Sequence, residues 1–407
     1  MRIVYLTQSY PSMISGAALV VENLANGMAA SGHQVLVIAA SDKGPAYSVH
    51  GGNLTLLRLK SRHNPMRVGQ RFILYPRDAV IQALREFKPD IIHAHEALPM
   101  SLPGIIYAGA ERIPIALTVH QHPATAVSYF SGIKQVLIQE ALWSYARWFT
   151  KKFTTIITPT ETTSTEVRKI LGRHVVTISN GIDLQTFHPR RQPADEAATR
   201  QKWNLPPDVP ILLHVGRLDV DKRVERVIQA SAQVLRETDA HLLIVGDGVR
   251  RPALMDLCDS LGIFDRVHFT GFVSAKQGLP EIYRIASLFV YASEIEAQGI
   301  VLLEAAASGL PIVAVRATCI PETVHDGVNG FLAEPGDLAG LSQAMEILLH
   351  DQEMAVRMGE ASQAIAQQHD NTFTIEAHDK LYHQLVEQGR TSYPNVKEGR
   401  RPVAEHA

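Results

Sequence analysis

The residues whose types and spacing best suit chemistry run from Ser293 to Pro311. Ser293-Glu294-Ile295-Glu296-Ala297-Gln298-Gly299-Ile300-Val301-Leu302-Leu303-Glu304-Ala305 leads into Ser308-Gly309-Leu310-Pro311. The pattern predicts a strand end, a loop, a short helix and a turn into a strand at Pro311–Val315. Gly299 would open that helix and turn the backbone N–H groups of Gln298, Gly299 and Ile300 toward a ligand. Glu296 and Glu304 add two carboxylates, which accept hydrogen bonds from hydroxyls such as those of a sugar or a ribose. An ordinary solvent-exposed pair accounts for Glu294. It does not account for Glu304, the only charge in Gly299–Ala307, because charged side chains are seldom buried without a partner.

A second group has anion chemistry. Gly216-Arg217-Leu218 follows the apolar run Ile211–Val215, with Lys222 and Arg223 just beyond. Gly216 permits a tight turn, and Arg217 presents a planar fork of donors suited to phosphate oxygens. Lys222 falls at the start of the next helix, where a point charge and free N–H groups both favour an anion. Cations near a helix start are also often just solvated. Asp219 and Asp221 have a spacing that suits Mg²⁺, but within a cationic loop a solvated role and no metal are expected. Gly246-Asp247-Gly248 reads as a strand–helix turn.

In the first half, Gly16 within Pro11–Ala17 opens a helix and brings backbone amides to an anion. His93 and His95 end one strand, and His120 and His122 end another. Imidazole is a common metal ligand, yet no carboxylate or cysteine completes a set. A sugar-hydroxyl contact from His120 suits its strand-end place better.

These residues need a scaffold of strand ends. Strand-like runs occur at Ile3–Thr7, Gln34–Ala39, Leu54–Leu59, Asp90–His93, Ile115–Val119, Thr155–Thr158 and Val175–Ile178, with helical periods such as Gly16–Ala30, Arg71–Phe87 and Lys134–Lys151 between them. The proline-rich segment His188–Pro210 reads as a connection. Alternation resumes at Ile211–Val215, His241–Val245, Val267–Phe269, Leu288–Ala292 and Pro311–Val315, and from Leu338 to about Glu387 the chain is mainly helical. The predicted class is α/β, with two doubly wound, Rossmann-like domains facing across a cleft. The expected units are residues 1–190, 191–370, a helix at 371–390 returning to the first domain, and a flexible tail at 391–407.

Composition excludes several classes. The 407 residues are 46% hydrophobic and 20% charged, as in folded globular proteins rather than disordered ones. No apolar run approaches the roughly 18 residues that span a bilayer, and MRIVYLT reads as a first strand, not a signal peptide. Cys258 and Cys319 form no disulfide framework and fit no zinc spacing, so a reducing, cytoplasmic setting is expected. Residues 1–190 hold 19 Lys+Arg against 11 Asp+Glu, and the rest hold 20 against 30. That asymmetry points to a phosphorylated substrate or a membrane surface for the first half, and not to nucleic acid, although two domains of different isoelectric point give the same split. Arg58, Lys60, Arg62, Arg67, Arg71 and Arg77 cluster there, as do Trp143, Tyr145, Arg147, Trp148, Phe149, Lys151 and Lys152. Basic residues beside aromatics suit an anionic lipid surface; core packing of the aromatics is the plainer alternative.

In this order the landmarks resemble the retaining glycosyltransferases of family 4. The marks are Ser15-Gly16, Ser31-Gly32-His33-Gln34-Val35, Asp90-Ile91-Ile92-His93-Ala94-His95, Thr118-Val119-His120, Asn180-Gly181-Ile182-Asp183, Gly216-Arg217-Leu218 with Lys222, and Glu296 with Glu304. The resemblance covers Met1 to about Glu387 and implies the two-domain GT-B fold, a nucleotide-diphosphate sugar donor and no metal or other cofactor. It implies that Glu296 meets the donor sugar and Glu304 the ribose, that Arg217 and Lys222 clamp the diphosphate, that His120 meets the transferred sugar, and that the Gly16 loop closes on the diphosphate. Gln298, Gly299, Ile300 and Val273 complete the expected donor site. Two departures stand out: Ser15 replaces the first glycine of the usual Gly-Gly loop, and Gln298 replaces the usual Phe. Both look like the branch that glycosylates diacylglycerol. The expected acceptor is thus a membrane lipid; a soluble glycan or small molecule, or epimerase chemistry on the same fold, are the alternatives.

Overall fold

The computed structural model describes residues 1–13, 15–64, 71–96, 100–122, 125, 132–189 and 193–392. Ile14, Arg67 and the tail beyond residue 392 lie outside the described residues.

The first half runs β1 (Arg2–Leu6), α1 (Gly16–Ala30), β2 (Gln34–Ala40), β3 (Tyr47–Gly51), β4 (Leu54–Leu59), β5 (Arg62–His63), β6 (Arg71–Phe72), α2 (Arg77–Phe87), β7 (Ile91–Ala94), α3 (Ser101–Glu111), β8 (Ile115–Thr118), α4 (Gly132–Thr150), β9 (Thr155–Thr158), α5 (Glu161–Leu171) and β10 (Val176–Thr177). Eight strands form one sheet in the order β10-β9-β8-β7-β1-β2-β4-β3. All neighbours are parallel except β3, an antiparallel edge that the sequence reading omitted. Tyr47–Gly51 mixes polar and small residues and is mostly exposed, so it lacks the apolar run that marks a buried strand. The expected helix Arg71–Phe87 starts only at Arg77: Pro76 caps it, and Arg71–Phe72 is instead a short strand paired with Arg62–His63.

The second half continues α6 (Pro193–Lys202), β11 (Ile211–Val215), α7 (Val224–Glu237), β12 (His241–Val245), α8 (Arg251–Ser260), β13 (Val267–Gly271), α9 (Leu279–Ile285), β14 (Leu288–Tyr291), α10 (Ile300–Ala307), β15 (Ile312–Val315), β16 (Gly330–Ala333), α11 (Leu338–His350), α12 (Gln352–Gln367) and α13 (Asn371–Ser392). Six parallel strands lie in the order β13-β12-β11-β14-β15-β16. The connecting segment contains α6, which the prolines masked in the sequence: Pro193 is its first residue, where its ring is tolerated.

Alternation along β1 divides the first core. Val4 and Leu6 face one layer with Ile92 and Leu117, while Ile3 and Tyr5 face the other with Val21 and Leu24. Tyr382, Leu385 and Val386 of α13 join that second layer, so the last helix packs on the first lobe. The chain crosses between lobes twice at one place, where Ile182 N donates to His369 O and Asn371 N donates to Ile182 O. In each sheet the strand order reverses beside its central strands, β1/β7 and β11/β14. Such switch points are where ligands bind in doubly wound sheets. Gly16, His95, Gly216 and Glu296 all follow one of those four strands.

Candidate active site

In the second lobe, β11 delivers Gly216 and Arg217. Gly246, at φ +144°, packs so closely that a Cβ there would lie 1.8 Å from Gly216 O. This explains a glycine at 246 more firmly than any ligand argument. The turn after Gly216 ends with Lys222, whose Nζ lies 2.5 Å from Glu296 Oε1 and 3.8 Å from Asp221 Oδ2. Tyr291, the last residue of β14, donates to the same Glu296 oxygen at 2.5 Å. Glu296 is buried. Burial pushes its carboxyl up, but the Lys222 charge and the hydrogen bonds from Lys222, Tyr291 and Ser293 outweigh this and hold it below its ordinary value.

The solvated role expected for Asp219 and Asp221 is corrected. Arg217 bonds both, with Nη2 2.9 Å from Asp221 Oδ2, and Asp221 is buried. A buried carboxylate needs a cation beside it, and Arg217 and Lys222 both approach Asp221 Oδ2. These two acids orient the Arg217 guanidinium. Glu294 is likewise engaged by Arg226 and Arg223.

Glu304 is buried on α10 and accepts from Tyr283 OH at 2.7 Å. Burial raises its carboxyl to about 7, the hydrogen bond from the Tyr283 phenol opposing. Gly299 caps α10 at φ +73°, a conformation that favours glycine. Gln298 is buried, and its amide bridges to the interdomain crossing: Nε2 donates to Ser179 Oγ at 2.7 Å, and Oε1 accepts from Asn180 N at 2.9 Å. Its side chain therefore faces the crossing, not the cleft. Val273 is buried in the second-lobe core, so only its backbone remains for a base.

The first lobe meets this loop directly. A Cβ built on Gly16 would lie 3.6 Å from Ile300 Cδ1, so the starts of α1 and α10 face each other. Thr160 and Thr163 hydroxyls donate to Ala297 O at 2.7 and 2.9 Å. Glu161 N and Thr162 N, at the start of α5, donate to the Glu322 carboxylate at 3.1 and 2.7 Å.

His120 Nε2 lies 2.8 Å from His95 Nδ1, and the rings stack at 5.1 Å. Burial and then His378 push His120 down to about 4, so it is neutral at physiological pH. His93 bonds Tyr382 OH and Thr118 Oγ1 at 2.6 and 2.7 Å, a structural arrangement that ties β7 to α13. Among the described residues no three His, Cys, Asp or Glu side chains form a metal-binding group.

Arg58 leaves the proposed basic surface: it is 1% exposed, and its guanidinium donates to Ala40 O at 2.8 Å and to the Tyr10 and Pro11 carbonyls. Its charge anchors the loop between β1 and α1. Phe149 is also buried, whereas Trp148 is 56% exposed with Lys152 Nζ 4.5 Å from its ring centroid. Among the described residues no helix is long and apolar enough to cross a membrane.

Sequence reasoning missed Tyr283, Tyr291, Thr160, Thr163 and Glu322. Tyr291 stands five residues before Glu296 and was within reach of a spacing argument. The others come from distant segments and carry no local signal.

Comparison with known proteins bears on the family and the fold. Residues 14–186 match the family model Glycosyltransferase Family 4, and residues 195–365 match Glycosyl transferases group 1. The N-acetyl-alpha-D-glucosaminyl L-malate synthase of Bacillus anthracis is 28% identical over 73% of this chain and 75% of its own. The alpha-monoglucosyldiacylglycerol synthase of Acholeplasma laidlawii is 28% identical over 81% of this chain and 84% of its own. The fold matches that of Anabaena HepE, solved with UDP and glucose, at a TM-score of 0.76 and 23% identity over 94% of this chain and all of that one. Two lobes of the GT-B type, each matched by its own model, make this chain a member of the family 4-like glycosyltransferases.

Proposed function

We propose that the protein is a retaining, metal-independent hexosyltransferase. It moves a hexose from a nucleotide-diphosphate sugar to the hydroxyl of a membrane lipid such as diacylglycerol. The observation that carries the donor half is the Lys222–Glu296–Tyr291 group, with Glu296 and Tyr291 buried, just ahead of the start of α10 that meets Gly16. In this reading Glu296 accepts from the sugar hydroxyls, Glu304 from the ribose, and His120 meets the transferred sugar. Arg217 and Lys222 stabilise charge developing on the leaving diphosphate, together with the amides at Gly16, Gly299 and Ile300. Transfer is front-face: the departing diphosphate helps to deprotonate the acceptor, and no protein nucleophile is used. The acids nearest the clamp, Asp219 and Asp221, are engaged by Arg217, which supports charge neutralisation without a metal ion.

The lipid acceptor is supported by the diacylglycerol-directed relative and by the exposed Trp148 with Lys152 over it, which suits a peripheral place on the cytoplasmic face of a membrane. A small-molecule acceptor is the second reading, favoured by the malate-directed relative. Labelled UDP- and GDP-hexoses incubated with diacylglycerol vesicles, or with polar acceptors, separate the two. Labelled lipid with an α-linkage, unaffected by EDTA, is expected. Loss of turnover with EDTA would overturn metal independence, and label in polar acceptors alone would overturn the lipid. Release of nucleotide only when acceptor is present distinguishes transfer from epimerisation.

A further inference from the structure

Each of the two site carboxylates is held from the protein side by a buried tyrosine. Tyr291 OH and Lys222 Nζ both bond Glu296 Oε1, so Oε2 carries neither bond. Tyr283 OH, from α9, bonds Glu304 Oε2, so Oε1 does not carry that bond. Phe would fill the same volumes, and a phenol buried with no partner is costly. The Tyr291 hydroxyl bonds Glu296, and the Tyr283 hydroxyl has only a longer second contact, 3.4 Å to Val301 O.

The rings cannot drift. His214, Tyr291, Phe289, Tyr283 and Phe187 form one ladder with successive centroids 5.6, 5.9, 5.9 and 5.7 Å apart. A close-packed ladder of this kind moves only by repacking. The last torsion of a glutamate is broad by itself. A fixed donor on one carboxylate oxygen sets its plane and aims the other.

We propose that Tyr291 and Tyr283 are positioning residues with separate duties. Tyr291 aims Glu296 at the donor sugar, and Tyr283 aims Glu304 at the nucleoside. The inference rests on the donor site proposed above.

The test uses the full chain with Tyr291→Phe and Tyr283→Phe, each checked by circular dichroism and melting. UDP and GDP are the binding probes, and turnover is measured with the hexose donor that the wild type uses. Tyr283→Phe is expected to weaken nucleoside-diphosphate binding and raise the donor KM about tenfold, with kcat within about twofold. Tyr291→Phe is expected to leave diphosphate binding unchanged and lower kcat about 10- to 100-fold. A purely structural role would not divide the constants in this way. Where a Phe variant melts early, a ring-fluorinated tyrosine, a stronger donor of the same shape, should move the same constant and no other. Wild-type behaviour of both variants, or equal changes in both constants, overturns the inference. A folded wild type that binds neither UDP nor GDP overturns the donor-site reading itself, and this inference with it.

Discussion

Replacing Lys222 with Met tests the centre of the site. The substitution keeps the apolar stem and removes the charge 2.5 Å from Glu296, in a pair whose side chains are 14% and 10% exposed. Removing one partner of a buried pair costs about 3–5 kcal/mol, or roughly 6–20 °C of melting temperature for a domain of 150–250 residues. The penalty should depend on pH, with a definite sign. In the wild type the folded Glu296 carboxyl lies below its ordinary value, so its stabilisation is present above the unfolded pKa and lost as pH falls. Without Lys222 the largest remaining influence is burial, which raises the carboxyl. Opposed then only by the hydrogen bonds from Tyr291 and Ser293, burial should shrink or reverse the gain in stability that the wild type shows as pH rises through the carboxylate range. The gap between the two proteins should be smallest near pH 4 and largest near pH 8. Differential scanning calorimetry across that range measures it, and kcat should drop about 10²–10³-fold from loss of one preorganised charge. Equal melting temperatures at pH 8, with unchanged turnover, would refute both the energetic and the catalytic argument for the pair.

Other outcomes follow from the same contacts. Gly246→Ala places a Cβ 1.8 Å from Gly216 O at φ +144°, so denaturant melts should show a loss of several kcal/mol and soluble expression should fall. Glu322→Ala removes the cap that the second lobe gives α5; about 1 kcal/mol of stability should go, and small-angle scattering should report a wider spread between lobes. Glu304, raised to about 7, lowers stability as pH rises from the unfolded carboxylate range to its folded pKa. Against the wild type, Glu304→Gln should therefore gain on the order of 3 kcal/mol between about pH 4.5 and 7, and a constant difference across that range would show that the carboxyl is not raised.

The sequence by itself determined the periodic features. Apolar runs such as Ile211–Val215 and Leu288–Tyr291 are continuous because both faces of a parallel sheet are covered. Gly299 and Glu304 were legible because a glycine at a strand–helix turn and a lone charge in an apolar helix conflict with their local surroundings. Tertiary structure alone decided what those residues touch. Arg58 reads as surface in sequence, yet it is buried, because three carbonyls of the Tyr10–Pro11 loop and Ala40 need a donor. Asp221 reads as solvated, but it is buried with Arg217 and Lys222 beside its Oδ2. Thr160, Thr163 and Glu322 meet partners more than 130 residues away, and no local pattern encodes such pairings. Local periodicity reports which face of an element is buried. Which polar group waits on the other side depends on the packing of the two lobes.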